Sequence, residues 1–323
     1  MIQQINAYNI LKYDYFNTLQ TPMKVLSLFD WISCARIALE RVWIEVENYY
    51  ASEVNKYAIQ VSQKNYPDIV QIGDVKKIEY KYMKGSKNNE WYYLLWDPDR
   101  PLLVDTMRKT DIDLLIWGSP CQDLSIAKKN RKGLDWERSW LFREYLRVLK
   151  EVKPKYFVLE NVVGMPKEAR DIITQELWVE PIMINASLFS AQNRKRLFWT
   201  NIPNITSPKD KGTILIQIIE EDVEEKYYIS NEVFEKLKKF ESNARLYPLD
   251  WKCCTLNTMQ GGYRQPKILQ HGRIRKLTPI ECERLQGIPD NYTEWVSNTQ
   301  RYKTLWNAFN VDVVAHILSF IPR

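Results

Sequence analysis

The segment around Cys121 has residue types suited to nucleophilic chemistry. Cys121 follows the apolar run 113–116 and lies in the turn Gly118-Ser119-Pro120-Cys121-Gln122. A cysteine in a turn after a strand can be presented to a cleft, where its thiolate acts as a nucleophile. The alternative is an inert, buried cysteine, which is the commoner role of a free thiol. The context of the turn favours the nucleophile.

Two further segments supply an acid and a pair of cations. Glu160 and Asn161 end the apolar run 156–159. A carboxyl group in a water-poor site can hold a proton near neutral pH, as general acid catalysis requires. Arg194 and Arg196 lie two residues apart in Gln-Asn-Arg-Lys-Arg, and would share a face if the segment is extended. Guanidinium groups bind carbonyl oxygens or phosphates, and the alternative is a solvated basic face.

The elements that would position these residues form an alternating pattern. The short apolar run 24–29 ends at Asp30, a second strand-like unit over 46–52 ends at Glu53, each is followed by a helical pattern, and a third strand ends at Asp74. Strands that alternate with helices predict an α/β fold with a parallel sheet. Ligands of such sheets bind at the carboxyl ends of the strands. Asp30, Glu53, Asp74, Cys121 and Glu160 each lie at or just after such an end.

Composition excludes several classes of protein. The chain has 323 residues, is 45% hydrophobic and carries a net charge of +6, which is compatible with a polyanionic partner. Five cysteines without a Cys-x-x-Cys pair, and only two histidines, argue against a disulfide framework and a zinc site, so no metal is expected. No apolar run approaches the roughly 18 residues of a membrane span, and no signal peptide precedes the first strand. We therefore expect a cytoplasmic protein without a membrane partner.

Pattern changes along the chain suggest two domains. Residues 80–110 are rich in Lys, Tyr and Trp with little periodicity, and we interpret them as an insertion or loop. Residues 203–273 are short, polar and irregular segments, whereas helical periodicity returns over 277–321. We predict one domain made of residues 22–202 and 274–323, with the tail packed back on it. Residues 203–273 would form a second, smaller domain.

The order and spacing of these segments resemble the DNA cytosine-5 methyltransferases of bacteria and phages, over residues 24–200 and 274–320. The resemblance implies a Rossmann-like, S-adenosylmethionine-dependent sheet. It also implies that Cys121 adds to cytosine carbon 6, so that the ring attacks the methyl group at carbon 5. Glu160 would hold the ring N3 and amino edge, Arg196 would bind O2, and Arg194 would support the site. The target base must flip out of the duplex to be reached.

The resemblance further implies S-adenosylmethionine as the methyl donor. Glu53 would accept from the ribose hydroxyls, Asp74 would lie near the adenine amino group, and Asn307 belongs to the last motif, which closes over the cofactor. Taken alone, Glu53 or Asp74 would be interpreted as a helix cap or turn acid. The full set of expected cofactor residues is Phe29, Asp30, Ile32, Glu53, Val54, Asp74, Val75, Pro120 and Asn307.

Duplex DNA is the partner that the resemblance implies. Residues 203–273 occupy the place of the target recognition domain, whose loops read base edges in the major groove. Paired glycines there permit close backbone approach. The expected DNA-binding residues are Gln122, Ser125, Gln260, Gly261, Gly262 and Arg264. We expect a monomer on DNA, with a cognate restriction endonuclease, if there is one, acting separately.

The chain departs from the family where glycine is usual. Trp31, Trp117 and Trp306 stand at such positions, as do Ala35 and Ala308. An indole in a cofactor loop would fill space meant for the ligand. Three explanations are open: loss of activity, compensating changes, or UGA codons that are read as glycine but written as tryptophan. A content of 12 Trp against 10 Gly, where ordinary usage is about 7% Gly, favours the last, but it leaves the alanines unexplained. Further suspect positions are Trp43, Trp136, Trp140, Trp178, Trp251 and Trp295.

Two other functions compete with an active DNA methyltransferase. A non-catalytic DNA-binding remnant is favoured by the altered cofactor loops, whereas the intact Cys121, Glu160, Arg194 and Arg196 favour the enzyme. An RNA cytosine methyltransferase is less consistent with the long segment between the arginines and the tail.

Overall fold

A computed structural model describes residues 21–84, 91–96, 107–108, 112–118, 140–256 and 263–322. Its centre is a seven-stranded sheet with the strand order β3-β2-β1-β7-β8-β11-β9. The strands are β1 (Met23–Leu28), β2 (Val46–Ser52), β3 (Val70–Gln71), β7 (Leu114–Gly118), β8 (Tyr156–Val162), β9 (Ile182–Asn185) and β11 (Lys195–Thr200). The first five strands of that order pair in parallel. Only β11 is antiparallel, to β8 and β9 alike.

Side chains of the central strands alternate between two apolar clusters, one on each face of the sheet. On β1, Val25 belongs to one cluster whereas Leu26 and Leu28 belong to the other. On β7, Ile116 and Trp117 divide in the same way. Both faces of a parallel sheet are covered by crossover helices, which explains why these strands are apolar throughout.

The helices lie on both faces of the sheet. The first cluster contains residues of α1 (Cys34–Arg41), α2 (Lys56–Asn65), α7 (Pro279–Leu285), α8 (Asn298–Asn307) and α9 (Val311–Leu318). The second contains residues of α3 (Trp140–Val152) and α4 (Lys167–Leu177). The tail helices therefore pack on one face of the sheet, with α9 against α1. The predicted α/β fold with a parallel-rich sheet is confirmed.

The insertion carries a sheet of its own. Strands β4 (Glu79–Lys84), β5 (Trp91–Trp96) and β6 (Met107–Arg108) form an antiparallel three-stranded sheet. The loop interpretation of residues 80–110 is therefore wrong for these strands. Aromatic residues favour strands even where a simple alternation of apolar and polar residues is missing, because their side chains suit a pleated surface.

The segment 203–273 is mostly irregular, with the short helices α5 (Asn231–Leu237) and α6 (Glu241–Ala244). A short parallel bridge joins β10 (Gln192–Asn193) to β12 (Cys253–Cys254) and so ties this segment to the arginine motif. The antiparallel pair β13 (Lys267–Gln270) and β14 (Arg273–Lys276) crosses the boundary predicted at 273/274. The division into two domains remains a prediction.

Candidate active site

The ends of β7, β8 and β11 bring the predicted catalytic residues to one edge of the sheet. Gly118 on β7 is the register partner of Glu160 on β8. Two residues further along β8, Val162 pairs with Arg196 of β11. The Arg196 Nε lies 2.7 Å from the Glu160 Oε1, and the two side chains are only 13% and 10% exposed. The sheet thus assembles an acid and a guanidinium that lie 36 residues apart in sequence.

Arg194 has a different role in the structure from Arg196. Its side chain is buried, and its guanidinium donates to the Ala308 carbonyl at 3.0 Å and towards the Trp306 carbonyl at 3.4 Å. Both arginines line one small cavity together with Glu160 and Phe309. Arg194 therefore fastens the turn after α8 to the arginine motif, while Arg196 pairs with the acid.

Phe309 completes this cavity and was not predicted from the sequence. A Cβ atom added to Gly118 would lie 2.9 Å from the Phe309 Cζ, closer than real Cβ contacts come. The phenyl ring therefore packs directly on the glycine that begins the turn towards Cys121. The only sequence signal is that Phe309 lies two residues after Asn307, in the motif assigned to the cofactor.

Glu53 at the end of β2 is the best oriented of the predicted cofactor residues. Its buried carboxylate accepts hydrogen bonds from the backbone N–H groups of Val54 at 2.8 Å, Asn55 at 2.7 Å and Trp31 at 3.0 Å. Burial raises the pKa of this carboxyl, and the three N–H groups act in the opposite direction. Because a carboxylate has about four acceptor positions, one remains for a further donor.

Asp30 and Asp74 serve local structure. Asp30 is buried and accepts from the Ser33 hydroxyl and the Tyr49 hydroxyl, each at 2.6 Å. Burial raises the pKa of the Asp30 carboxyl. Asp74 accepts from the Lys76 backbone N–H at 3.0 Å and caps the short 3-10 helix Val75–Lys77. Both acids shape the loops at the strand ends.

The loop between β1 and α1 alternates in backbone conformation. Phe29, Trp31 and Ser33 have φ angles of 54°, 53° and 58°, in the left-handed region. Between them Ile32 is fully buried, and its carbonyl accepts from the Tyr292 hydroxyl at 2.8 Å. A loop of this kind keeps its backbone close to the strand end, where glycine is the residue with least steric cost.

The remaining predicted residues differ in their burial and contacts. Val54 is exposed, Val75 is buried, and the Asn307 amide donates to the Lys303 carbonyl within its own helix at 2.9 Å. Arg264 is exposed. The other predicted residues lie outside the described residues: Pro120, Cys121, Gln122, Ser125, Gln260, Gly261 and Gly262.

Trp117 fills the core beside this edge. Its indole is fully buried, with its ring centroid 4.7 Å from that of Tyr145, 6.3 Å from Phe142 and 5.5 Å from Phe29. The indole Nε1 has no hydrogen-bond partner among the described residues. Such an orphaned donor costs about 1–3 kcal/mol.

Metal clusters and membrane-spanning helices are absent from the described residues. No cluster of three or more His, Cys, Asp or Glu side chains there could hold a metal ion. None of the helices in the described ranges is both long enough and apolar enough to cross a membrane.

Comparisons with known proteins show the family of the chain. The family model for C-5 cytosine-specific DNA methylases matches residues 23–265 and 251–323. The type II methyltransferase M1.ScrFI of Lactococcus lactis subsp. cremoris is 29% identical, over 90% of this chain and 76% of its own length. M.NlaX of Neisseria lactamica, another type II methyltransferase, is 27% identical over 91% of this chain and 94% of its own.

Solved structures agree with the fold. The Dnmt2 methyltransferase of S. pombe aligns with a TM-score of 0.67 and 19% identity, covering 92% of this chain and 97% of that one. A putative DNA modification methyltransferase from an E. coli prophage aligns with a TM-score of 0.65 and 19% identity, covering 92% and 98%. The sheet with helices on both faces is therefore the Rossmann-like fold that these structures share. The chain belongs to the C-5 cytosine-specific DNA methylase family, as its resemblance predicted.

Proposed function

We propose that this protein transfers a methyl group from S-adenosylmethionine to carbon 5 of cytosine in duplex DNA. The pairing of Glu160 with Arg196 at 2.7 Å is the observation that carries this proposal, because Glu160 lies on β8, next to the strand β7 that precedes Cys121, and Arg196 lies on β11, the next strand beyond β8. A nearly buried carboxyl group beside a guanidinium suits the N3 and O2 positions of a cytosine ring. The carboxyl group can share a proton with N3, and the guanidinium can donate a hydrogen bond to O2.

The strand ends also offer a place for the methyl donor. The residues at the ends of β1, β2 and β3 lie along one edge of the sheet, as the parallel pairing of these strands requires. There the oriented Glu53 carboxylate retains an acceptor position for a ribose hydroxyl, and Phe29 offers a half-buried ring for adenine. When bound, S-adenosylmethionine supplies the electrophilic methyl group.

The chain's own residues would then act on the base. The Cys121 thiolate would add to cytosine carbon 6, which makes carbon 5 nucleophilic. After carbon 5 has accepted the methyl group, loss of its proton to solvent and elimination of the Cys121 thiolate from carbon 6 would restore the aromatic ring. Glu160 offsets the charge that develops at N3 by sharing a proton there, and Arg196 donates to O2. Arg194 keeps the tail motif, and with it Phe309, against the site. A cytosine must leave the base stack to meet these groups.

DNA would reach this edge through the segment 203–273. The bridge between β10 and β12 places the backbone of Cys253 beside that of Gln192, so the segment begins its approach next to the arginine motif. Arg264 and the glycines before it are the residues we expect at the major groove. We further propose that one copy of the chain binds the duplex, and that any cognate endonuclease acts as a separate protein.

Transfer of labelled methyl groups tests the proposal. The substrates are duplex DNA and tRNA. The proteins are the unsubstituted chain and the triple variant Trp31→Gly/Trp117→Gly/Trp306→Gly. Each is prepared with and without the further substitution Cys121→Ser. We expect DNA to be labelled and Cys121→Ser to abolish labelling. Labelling of tRNA alone would overturn the choice of substrate, and labelling that survives Cys121→Ser would overturn the nucleophile.

The indoles at the site favour a second candidate, a DNA-binding remnant without activity. Trp117 is packed into the core, so its replacement by glycine can destabilise the fold. A second variant, Trp31→Gly/Trp306→Gly, keeps Trp117 and is compared by thermal unfolding. If both variants are folded and bind DNA but label neither substrate, the remnant is the correct function.

A further inference from the structure

Three tryptophans of this chain have a backbone conformation that suits glycine. The φ angles of Trp31, Trp43 and Trp178 are 53°, 59° and 56°. Left-handed backbone is strained for residues other than glycine, and Asn or Asp accept it more readily than a bulky side chain does. Three indoles in this region of the described chain therefore need an explanation.

The end of α1 shows why position 43 has this conformation. The backbone N–H of Trp43 donates to the Glu40 carbonyl, and that of Ile44 donates to the Leu39 carbonyl, both at 3.0 Å. These two bonds form a Schellman motif, with Trp43 in the position after the cap. Leu39 and Ile44 are both buried, and such an apolar pair commonly accompanies the motif.

The same chain ends α7 with the same motif and a glycine. There the N–H of Gly287 donates to the Arg284 carbonyl at 3.1 Å, and that of Ile288 donates to the Glu283 carbonyl at 2.9 Å. Gly287 has a φ of 69°. The two helix ends differ mainly in that one has Gly-Ile where the other has Trp-Ile.

Position 178 has the same left-handed backbone conformation, at the end of α4. Trp178 follows the last helical residue, Leu177, with φ 56° and ψ 28°. Its side chain is 92% exposed, and that of Trp43 is 64% exposed. An indole so exposed gains little from packing, so burial does not compensate for its backbone strain.

Trp199 shows how a tryptophan is accommodated elsewhere. Its side chain is fully buried, and its indole Nε1 donates to the Thr174 hydroxyl at 3.0 Å. Its backbone is part of β11 and pairs with Leu159 of β8. Trp199 has both the packing and the partner that a buried indole requires.

Loss of enzymatic activity does not account for positions 43 and 178. Trp43 precedes β2 and Trp178 precedes β9, so both lie near the amino ends of parallel strands. The candidate site lies at the carboxyl ends, on the opposite edge of the sheet. Relaxed selection on a cofactor pocket would leave those helix ends unchanged.

We propose that the protein made by its own organism carries glycine at positions 31, 43 and 178, because UGA codons there are read as glycine. Glycine keeps every backbone hydrogen bond described for these positions, including the one from residue 31 to Glu53. At 43 and 178 the proposal rests on helix ends and is independent of the proposed function. At 31 it also removes a half-buried indole from the loop beside the expected cofactor.

The codons and the native protein decide the question directly. We expect UGA at positions 31, 43 and 178, and UGG at Trp199. Mass spectrometry of peptides from the native organism then identifies glycine at the three positions. UGG codons at these positions, or tryptophan in the native peptides, would overturn the proposal.

Unfolding measurements test the physical argument without any methyl-transfer assay. We expect Trp43→Gly and Trp178→Gly each to raise the melting temperature by roughly 1–3 °C, because they relieve left-handed strain. Trp251→Gly is the matched control, since its indole is 69% exposed but its φ is not among the positive values. If Trp43→Gly and Trp178→Gly lower the melting temperature as much as Trp251→Gly does, glycine does not relieve backbone strain at these positions.

Discussion

At the residue scale, the pair formed by Glu160 and Arg196 differs from the surface ion pairs of this chain. Both side chains are nearly buried at 13% and 10% exposure, whereas those of Lys150 and Glu176 are 69% and 45% exposed at a distance of 3.4 Å. A buried pair is strongly affected by removal of one charge, and an exposed pair is not. The position of Glu160 beside the turn to Cys121 makes its charge relevant to chemistry.

The first prediction concerns this carboxyl group. Glu160→Gln keeps the size of the side chain and an oxygen that can face Arg196, but removes the titratable proton. We expect kcat for methyl transfer to fall about 10²–10⁴-fold, while DNA affinity changes far less. Single-turnover kinetics measures this fall in rate, with the form of the protein that methylates DNA. Glu176→Gln is the control, and an equal kcat for the two variants would rule out this role.

A second residue-scale prediction concerns Asp30 and pH. Burial raises the pKa of its carboxyl above the ordinary 3.8, so the folded state holds this proton more tightly than the unfolded state does. Its contribution to stability is therefore complete below pH 3.8 and is lost as pH rises through the folded pKa. Because Asn does not titrate, the free energy of unfolding of Asp30→Asn should not fall as pH rises through the folded pKa of Asp30. At neutral pH it should therefore be higher than that of the unsubstituted protein.

Urea denaturation from about pH 4 to about pH 8 measures this difference. Asp68→Asn is the control, because Asp68 is an exposed partner of Arg36 at 3.4 Å. If the stability difference between Asp30→Asn and the unsubstituted protein stays constant across this range, the carboxyl does not titrate as described.

At the element scale, the packing of the turn after α8 on β7 determines where the segment to Cys121 begins. Phe309 lies against Gly118, and the amide of Asn310 donates to the Leu285 carbonyl at the end of α7 at 3.0 Å. Arg194 binds the Ala308 carbonyl from the other side. Three elements distant in sequence thus position one glycine.

The third prediction tests this contact. Gly118→Ala places a methyl group 2.9 Å from the Phe309 ring, so the ring must shift. We expect a loss of about 1–3 kcal/mol in the free energy of unfolding and a fall in kcat. Gly118→Ala/Phe309→Leu should recover part of the stability, measured as a double-mutant cycle in urea. Additive effects of the two substitutions would show that the contact is not the cause.

At the scale of the whole molecule, a buried ion pair joins β14 to the tail helix α7. Arg275 on β14 and Glu281 on α7 are both fully buried, with their nearest N and O atoms 2.6 Å apart. The same carboxylate accepts from the Glu220 backbone N–H at 2.9 Å. This pair therefore connects the irregular segment 203–273 with the helices that cover the sheet.

The fourth prediction follows from that burial. Arg275→Met leaves the Glu281 carboxylate buried without its cation, and we expect a loss of about 3–5 kcal/mol in the free energy of unfolding. Arg273→Met, two residues earlier on the same strand, removes an exposed pair with Glu225 and should cost at most about 1 kcal/mol. Urea denaturation compares them. Equal losses would mean that the buried pair does not join the two parts.

The sequence by itself determined the alternation of strands and helices, and hence the residues at the strand ends. Apolar runs and helical periodicity are local properties, so they predicted the ends at Asp30, Glu53, Asp74 and Glu160 before any contact was known. The family followed from the order of these segments. The strands at 79–84 and 91–96 were missed, because aromatic and basic residues there mask the alternation.

Only the tertiary structure decided which of these residues meet. Pairing between β8 and β11 brings Glu160 next to Arg196, and the turn after α8 brings Phe309 onto Gly118. Arg194 is buried and binds the Ala308 carbonyl, so it does not share the partner of Arg196. Contacts between segments far apart in the chain leave no local pattern. Backbone conformation was hidden in the same way, since only the helix ends and the loop after β1 showed that three tryptophans have the left-handed φ that favours glycine.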